Sequence, residues 1–296
     1  MQQPTRNRRF FIQKAGLATF ALASQNMIPM SKWENWTIQQ IIDGIMGAIP
    51  GSRRNDTVDT FKSGNPRDIC TGIVTTFLAT AEVIKRTAEL GANLIITHEP
   101  TYYNHLDETD WLEEDPVYQA KLSLIETHKI AIWRFHDYWH QHRPDGILQG
   151  FLELMNWTEY VDGEIDNICN IPEMTLQDLA NTIKQKMDLH RPFLVGEPAL
   201  ICNRVGLLLG AGGGRMQIGM LSKEDMDVLV VGEVAEWETC EYIRDSNNLG
   251  MPKGLIVLGH AVSEEPGMAY LANWLTPRFK GLSINHVPAT EPFRLV

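Results

Sequence analysis

The stretch ICTGIVTTFLATAEVIKRTAELGANLIIT, Ile69 to Thr97, decides the fold. Ile69 to Leu78 is rich in β-branched residues, Thr80 has a helix-capping side chain, a helical pattern runs through Leu90, and Gly91 is a stop. Ala92 to Thr97 is then a second buried strand, which completes a βαβ unit. Downstream, a helical pattern from about Pro116 to His128 leads into a third strand, Ile130 to Phe135. Alternation of this kind predicts a largely parallel sheet covered by helices.

The second half follows the same logic. TLQDLANTIKQKM has Thr175 as N-cap and Leu176, Leu179, Ile183 and Met187 on one face. Strands are expected at Arg204 to Leu209, Val228 to Val231 and Gly254 to Leu258, the last followed by a helix from about Glu264 to Leu275. The expected fold class is α/β: two α/β lobes with mostly parallel sheets, over 37–150 and 170–296, the boundary falling between Gly150 and Thr175.

Composition sets the outer limits. The chain has 296 residues, of which 44% are hydrophobic, enough for one large or two medium cores. A net charge of −11, with no Lys/Arg cluster beyond the first residues, argues against nucleic acid as a partner. Cys70, Cys169, Cys202 and Cys240 form no CxxC pair and read as core thiols, with one disulfide open if the chain is exported.

Residues 1–30 read as a targeting segment. Arg8 and Arg9, two phenylalanines, Lys14, a modest apolar run from Ala15 to Ala23, and Ala21-Leu22-Ala23 as a cleavage site resemble a twin-arginine export signal. The other reading is a basic amphipathic helix that stays attached. The run is too short to span a bilayer, so after signal cleavage no membrane association is expected and the protein would be periplasmic or otherwise exported.

Ligands of open α/β sheets collect beyond the carboxyl ends of the strands. The strand ending at Thr97 delivers His98 and Glu99; the one ending at Phe135 delivers His136, Asp137 and His140; the one ending at Leu258 delivers His260, with Glu264 four residues on. Imidazole and carboxylate together suit Zn, Mn, Fe or Co. The set is too large for one four-coordinate catalytic ion, whereas two ions bridged by a carboxylate and a water use it fully. His105, His128, His190 and His286 read as hydrogen-bonded loop residues, while His136 is open between a ligand, a residue that orients a ligand, and a substrate contact.

Three stretches resemble, in order, motifs of the NIF-three-like family, also known as GTP cyclohydrolase I type 2-like dinuclear metal proteins. GANLIITHEP resembles GADLIISHHP, IAIWRFHDYWH resembles IAVYSAHTNLD, and GLIVLGHAVSE resembles a segment that ends in GHYASE. ATAEVIKRTAELGA, RPFLVGEP, VGLLLGAGGG and VLVVGEVAEW agree more weakly, and the resemblance extends over roughly residues 38 to 270. It implies a two-lobed α/β protein with two divalent ions (Zn, Mn or Fe) between the lobes, assembled as a homo-oligomer such as a hexameric ring. Two positions depart from the motifs. Glu99 stands where they have a second histidine, and His140 where they have an aspartate. The inventory of three imidazoles and two carboxylates is kept, and the implied ligand set is His98, Glu99, His140, His260 and Glu264.

Gly232 to Trp237 takes the place of a GEISHH-like segment of the family, and Glu233 or Glu236 is a candidate general acid or base. Ala211 to Arg215, AGGGR, is read first as a turn that lets two elements pack closely and second as a phosphate loop. Trp133, Tyr138 and Trp139 are expected to pack rather than to line a substrate pocket. Together these readings favour a metal-dependent hydrolase acting on a small-molecule substrate; the alternative is a noncatalytic metal-binding or ring-forming protein.

Overall fold

The computed structural model describes residues 35–293 except 52, 191 and 224, so the targeting segment expected over 1–30 lies outside the described residues. Helix α1 (Ile38–Gly47) is closed at its start by a reciprocal pair: Thr37 accepts from the Gln40 amide, and the Gln40 side chain accepts from the Thr37 amide. The expected βαβ unit follows the edge strand β1 (Phe61–Ser63). It consists of β2 (Ile73–Thr76), α2 (Ala81–Glu89) and β3 (Leu94–Thr97), with Thr80 capping α2 and Gly91 beyond its end at φ +69°. Helix α3 (Pro116–His128) has Asp115 accepting from two of its first amides, and it returns the chain to β4 (Ala131–Arg134). Two helices then cross to the second lobe: α4 (Asp137–Gln141) and α5 (Gly146–Met155).

That lobe holds β5 (Ile168–Thr175), α6 (Leu176–Lys186), β6 (Phe193–Val195), β7 (Ile201–Leu208), α7 (Gly214–Lys223), β8 (Val228–Val231), α8 (Glu241–Asn248) and β9 (Gly254–Val257). Helix α9 (His260–Leu275) and strand β10 (Ile284–His286) end the fold. The sheets are ordered β1-β4-β3-β2-β10 and β5-β7-β8-β9-β6. In the first, β4, β3, β2 and β10 are parallel and only β1 is antiparallel; in the second, β7, β8 and β9 are parallel between two antiparallel edge strands. Both sheets are therefore mostly parallel, and the central strands IVTT, LIIT, AIWR and VLVV are buried along their whole length for that reason.

The chain differs from the expected division in one respect. Strand β10, within 170–296, pairs with β2 of the first sheet rather than with the second. Glu265 and His286 explain the attachment. The Glu265 carboxylate accepts from the Phe77 and Ala289 amides at 3.1 and 2.9 Å, His286 Nε2 lies 3.3 Å from it, and His286 Nδ1–H donates to Thr75 O at 3.1 Å. His286 is thus a strand residue, its Nδ1–H committed to the neighbouring strand. All four cysteines are free, and Cys70, Cys169 and Cys202 are buried, as core thiols should be. Among the described residues no helix is long and apolar enough to cross a membrane.

Helix α9 leaves the second sheet yet packs in the core of the first. Met268, Leu271, Trp274 and Leu275 share one buried cluster with Ile73, Leu94, Ile96, Trp133 and Phe135. Trp139 lies in the same cluster, fully buried, with Nε1 donating to Gly267 O at 3.3 Å. Trp133 and Tyr138 are buried there too, so the aromatic group packs, as expected, rather than facing a cavity. Helix α5 crosses α9 at two glycines. A Cβ on Gly150 would stand 2.3 Å from Pro266 O, and one on Gly267 would stand 2.5 Å from Ile147 Cα. Backbone-to-backbone approach of this kind has no flexible side chain to yield, so Gly150→Ala should cost about 2 kcal/mol or more through overpacking. A lowered urea midpoint with unchanged slope is the expected measurement.

Candidate metal centre

The site is assembled from the ends of β3 and β4 and from the start of α9. Just beyond β3, the His98 and Glu99 amides donate to Thr76 O at 3.1 Å and to Phe77 O at 2.8 Å, which ties this turn to the end of β2. His98 is fully buried, and its Nδ1–H donates to Phe135 O at 3.2 Å. A carbonyl can only accept, so Nε2 carries the lone pair. That atom lies 3.4 Å from Glu264 Oε2, and both atoms are buried with no hydrogen-bond partner. Burial and the neighbouring His140 and His136 push the His98 pKa well below its ordinary value, so the ring is neutral. Two buried acceptors then face each other across 3.4 Å, an arrangement that costs free energy unless a cation lies between them. The residues fit a divalent metal on this ground.

His136 and His140 come from α4, whose N-terminus is capped from a distance. Asp59, buried, accepts from the amides of His136, Asp137 and Tyr138 at 2.8, 3.0 and 2.9 Å. His136 Nδ1–H donates to Asp137 Oδ1 at 3.0 Å, and His140 Nδ1–H donates to Asp145 Oδ2 at 2.9 Å. Asp145 is also the cap of α5, its Oδ1 accepting from the Ile147 and Leu148 amides at 2.9 and 3.1 Å. Burial lowers the pKa of His140, but the hydrogen bond and charge of Asp145 outweigh it, and the net direction is upward. The ring centroids of His98, His136 and His140 lie 4.6 to 5.0 Å apart, and one ligand atom from each comes within 4.8 Å of the others.

Helix α9 starts four residues earlier than its sequence pattern suggests. Gly259 at φ +101° turns the chain straight from β9 into the helix, so His260 and Glu264 share one face, with Nε2 3.2 Å from Oε2. His260 Nε2 is also 3.5 Å from Glu99 Oε1, and Nδ1–H donates to Glu233 Oε1 at 2.9 Å. Burial disfavours charge on His260, yet Glu264 and Glu99 outweigh it and push its pKa up to about 10. A proton on this ring and a metal ion are thus alternative partners for the same carboxylate pair.

Glu99 has its own counter-charge. Arg134 is fully buried; its Nη2 donates to Glu99 Oε2 at 3.2 Å, its Nε donates to His98 O at 3.1 Å, and its Nη1 donates to His105 O. Burial alone would raise the Glu99 pKa, but His260 and Arg134 outweigh it and lower it. Glu264 reaches the site because Gly210, at φ +69°, has no Cβ: one built there would stand 2.0 Å from Glu264 Oε1. Further along the same loop the Gly214 amide donates to Glu238 Oε2 at 3.2 Å, with equally little room for a Cβ. The start of α7 is therefore already covered by a carboxylate, and AGGGR is a packing turn rather than a phosphate loop.

All five residues implied by the sequence, His98, Glu99, His140, His260 and Glu264, come together here, and the structure adds His136, whose part the sequence left open. Glu233 orients His260, and Glu236 lines an adjoining cavity of about 1090 Å³ to whose wall Glu233 and His260 also belong. Asp59, Asp145 and Arg134 carried no local signal. Apart from buried His98, the ligand-type side chains open into a cleft of about 560 Å³ whose lining also includes Ile147, Leu148, Leu207, Leu208, Leu209 and Met216. His105 stands on the same cleft, its ring 6.1 Å from that of His136.

Asp145→Asn separates the two roles of Asp145. The amide oxygen still caps α5, but its NH₂ faces His140 Nδ1–H, so unfolding of the metal-free protein should be nearly unchanged while metal affinity falls about 10- to 100-fold. Competition against a chromogenic chelator measures the second quantity.

The profile of the Duf34/NIF3 (NGG1p interacting factor 3) family matches residues 58–292. A protein of Clostridium perfringens named GTP cyclohydrolase 1 type 2 homolog is 22% identical over 197 residues, 63% of this chain and 71% of that protein. Among solved structures, a hypothetical protein of Staphylococcus aureus superposes with a TM-score of 0.70 at 18% identity, covering 88% of this chain and 99% of its own. A Bacillus cereus protein related to NIF3 superposes with a TM-score of 0.67 at 17% identity, covering 88% and 99%. At such identities the structures speak for the fold.

Proposed function

The chain belongs to the Duf34/NIF3 family, and from that premise we propose that it is a metal-dependent hydrolase of small molecules that holds two divalent ions in the cleft. The observation that carries the reading is the cleft itself: the ligand-type side chains other than His98 line a solvent-reachable cavity, not a closed knot. A structural metal site is coordinatively closed, while a catalytic one keeps an open face. His98, His136, His140, Glu99, His260 and Glu264 would hold the ions. When bound, such ions polarise an electrophile and lower the pKa of water.

The chain's own groups do the rest. Asp137, Asp145 and Glu233 each fix one imidazole by its Nδ1–H, which leaves Nε2 of His136, His140 and His260 for the centre. The aliphatic wall of Leu207, Leu208, Leu209 and Ile147 takes an apolar body and excludes water from it, with the substrate's polar group turned to the opposite side. His105, outside the ligand sets, is placed to pass a proton to a leaving group at the cleft. Phosphoesters and amides of small molecules are the substrate classes proposed for a cleft whose basic lining, among the described residues, is its histidines. Export by the twin-arginine route and homo-oligomeric assembly belong to the same proposal.

Elemental analysis of the purified protein should find close to two divalent ions per chain, lost in the His140→Ala, Glu264→Ala double variant. A panel of phosphoesters and amides should then show turnover that disappears with chelator and returns with metal. Bound metal without turnover on any substrate would instead favour the noncatalytic reading.

A further inference from the structure

The six ligand-type side chains fall into two chemically different groups. His98, His136 and His140 form a cluster of imidazole donors, each with Nδ1 committed to an oxygen: Phe135 O at 3.2 Å, Asp137 Oδ1 at 3.0 Å and Asp145 Oδ2 at 2.9 Å. Each therefore has only Nε2 to give. Beside them, Glu99 Oε1 and Glu264 Oε2 lie 3.5 and 3.2 Å from His260 Nε2, which makes a second group of two anionic oxygens and one nitrogen. Arg134 holds the other oxygen of Glu99 at 3.2 Å, so Glu99 meets this group through Oε1.

His98 stands between the two groups. It is close to both, with its ring 4.6 Å from that of His136 and its Nε2 3.4 Å from Glu264 Oε2, but it has one lone pair and can complete only one of them. Asp137 and Asp145 are turned to the Nδ1 side of the imidazole group and give it no carboxylate of its own; Glu99 Oε1, 3.6 Å from His136 Nε2 and 3.5 Å from His260 Nε2, borders both groups, and Glu99, Glu264 and His260 make three donors without His98. Three imidazoles suit Zn, Co or Ni; a carboxylate-rich set suits Mn or Mg.

Resting on the two-ion reading above, we infer that the centre is heterobinuclear: His98, His136 and His140 take a borderline ion of the Zn class, and Glu99, Glu264 and His260 take a harder ion of the Mn class. Zn outranks Mn in intrinsic affinity for either kind of set. Segregation therefore depends on supply: one equivalent of Zn goes to the imidazoles and leaves the carboxylates to Mn.

The experiment uses the full chain stripped of metal, with Mn(II) and then one equivalent of Zn(II) added. Electron paramagnetic resonance should show one Mn per chain with the six-line spectrum of an isolated ion. Adding Zn should bring the metal count to two without releasing Mn. Glu99→Gln, which preserves shape, should lose the Mn and keep the Zn, and in His136→Ala, where the imidazole set is broken, the single equivalent of Zn should displace the Mn instead of adding to it. In the wild type, two Mn per chain with a spin-coupled spectrum, or one-for-one displacement of Mn by the single equivalent of Zn, would overturn the inference while leaving a two-ion or one-ion metalloprotein in place. Failure to bind either ion would overturn the two-ion hydrolase reading itself. The wild-type spectra decide the matter even if a variant does not fold.

Discussion

Helix α9 is the constraint on which the rest depends, because it belongs to one sheet by connectivity and to the other by packing. It begins two residues after β9 of the second sheet, and its apolar residues Met268, Leu271 and Leu275 are buried among Ile73, Leu94 and Ile96 of the first. Burying side chains of this size is worth roughly 1.5–3 kcal/mol each, which sets the helix firmly against that sheet. Once it lies there, His260 and Glu264 in its first turns stand against the ends of β3 and β4. The close crossing with α5 at Gly150 and Gly267, and the missing Cβ at Gly210, are conditions of that placement.

The polar side of the site shows the cost of such convergence. Burying a neutral imidazole against a carboxylate with no proton between them is unfavourable. The fold nevertheless holds His98 and Glu264 in that relation, through Phe135 O on one side and the Gly210 loop on the other. On the outer side of the centre the donors and acceptors are matched: four histidines each have Nδ1 on an oxygen, and Arg134 places donors on three, while on the inner side His136 Nε2 also faces Glu99 Oε1 at 3.6 Å. A pair left unmatched within so complete a network is best understood as the place where a cation completes it.

Much of this is legible in the sequence where the signal is local. Helix α3 has the expected bounds, Pro116 to His128, because Asp115 caps it and Lys129, at φ +51°, ends it. The strand ends were likewise legible, since a buried run followed by a polar residue needs no knowledge of the partner strand. Three features were not. The start of α9 was set by the positive φ of Gly259, which a helical periodicity does not register. Strand β10 is three half-buried residues, INH, too short and too polar to show a period. Asp59 caps α4 from 77 residues away, a relation that exists only in three dimensions. His136 was ambiguous for a related reason: its part depends on which ring nitrogen is engaged, and that is decided by Asp137 in space.

The two departures from the family motifs make sense only together with their buried partners. Glu99 replaces an imidazole with an anion, and beneath it lies Arg134, at the position where the motif IAVYSAHTNLD has a serine. His140 replaces an anion with an imidazole, and behind it stands the carboxylate of Asp145. Each exchange thus brings a neighbour of compensating charge, and in each case the neighbour binds the atom that faces away from the centre. An acid drifting alone into a buried turn would instead be neutralised by its surroundings, its pKa rising with burial. Glu99 moves the other way, held down by His260 and Arg134. The altered centre therefore has the electrostatics of a remodelled site, in which negative charge has moved from α4 to the end of β3 and remains available to a cation.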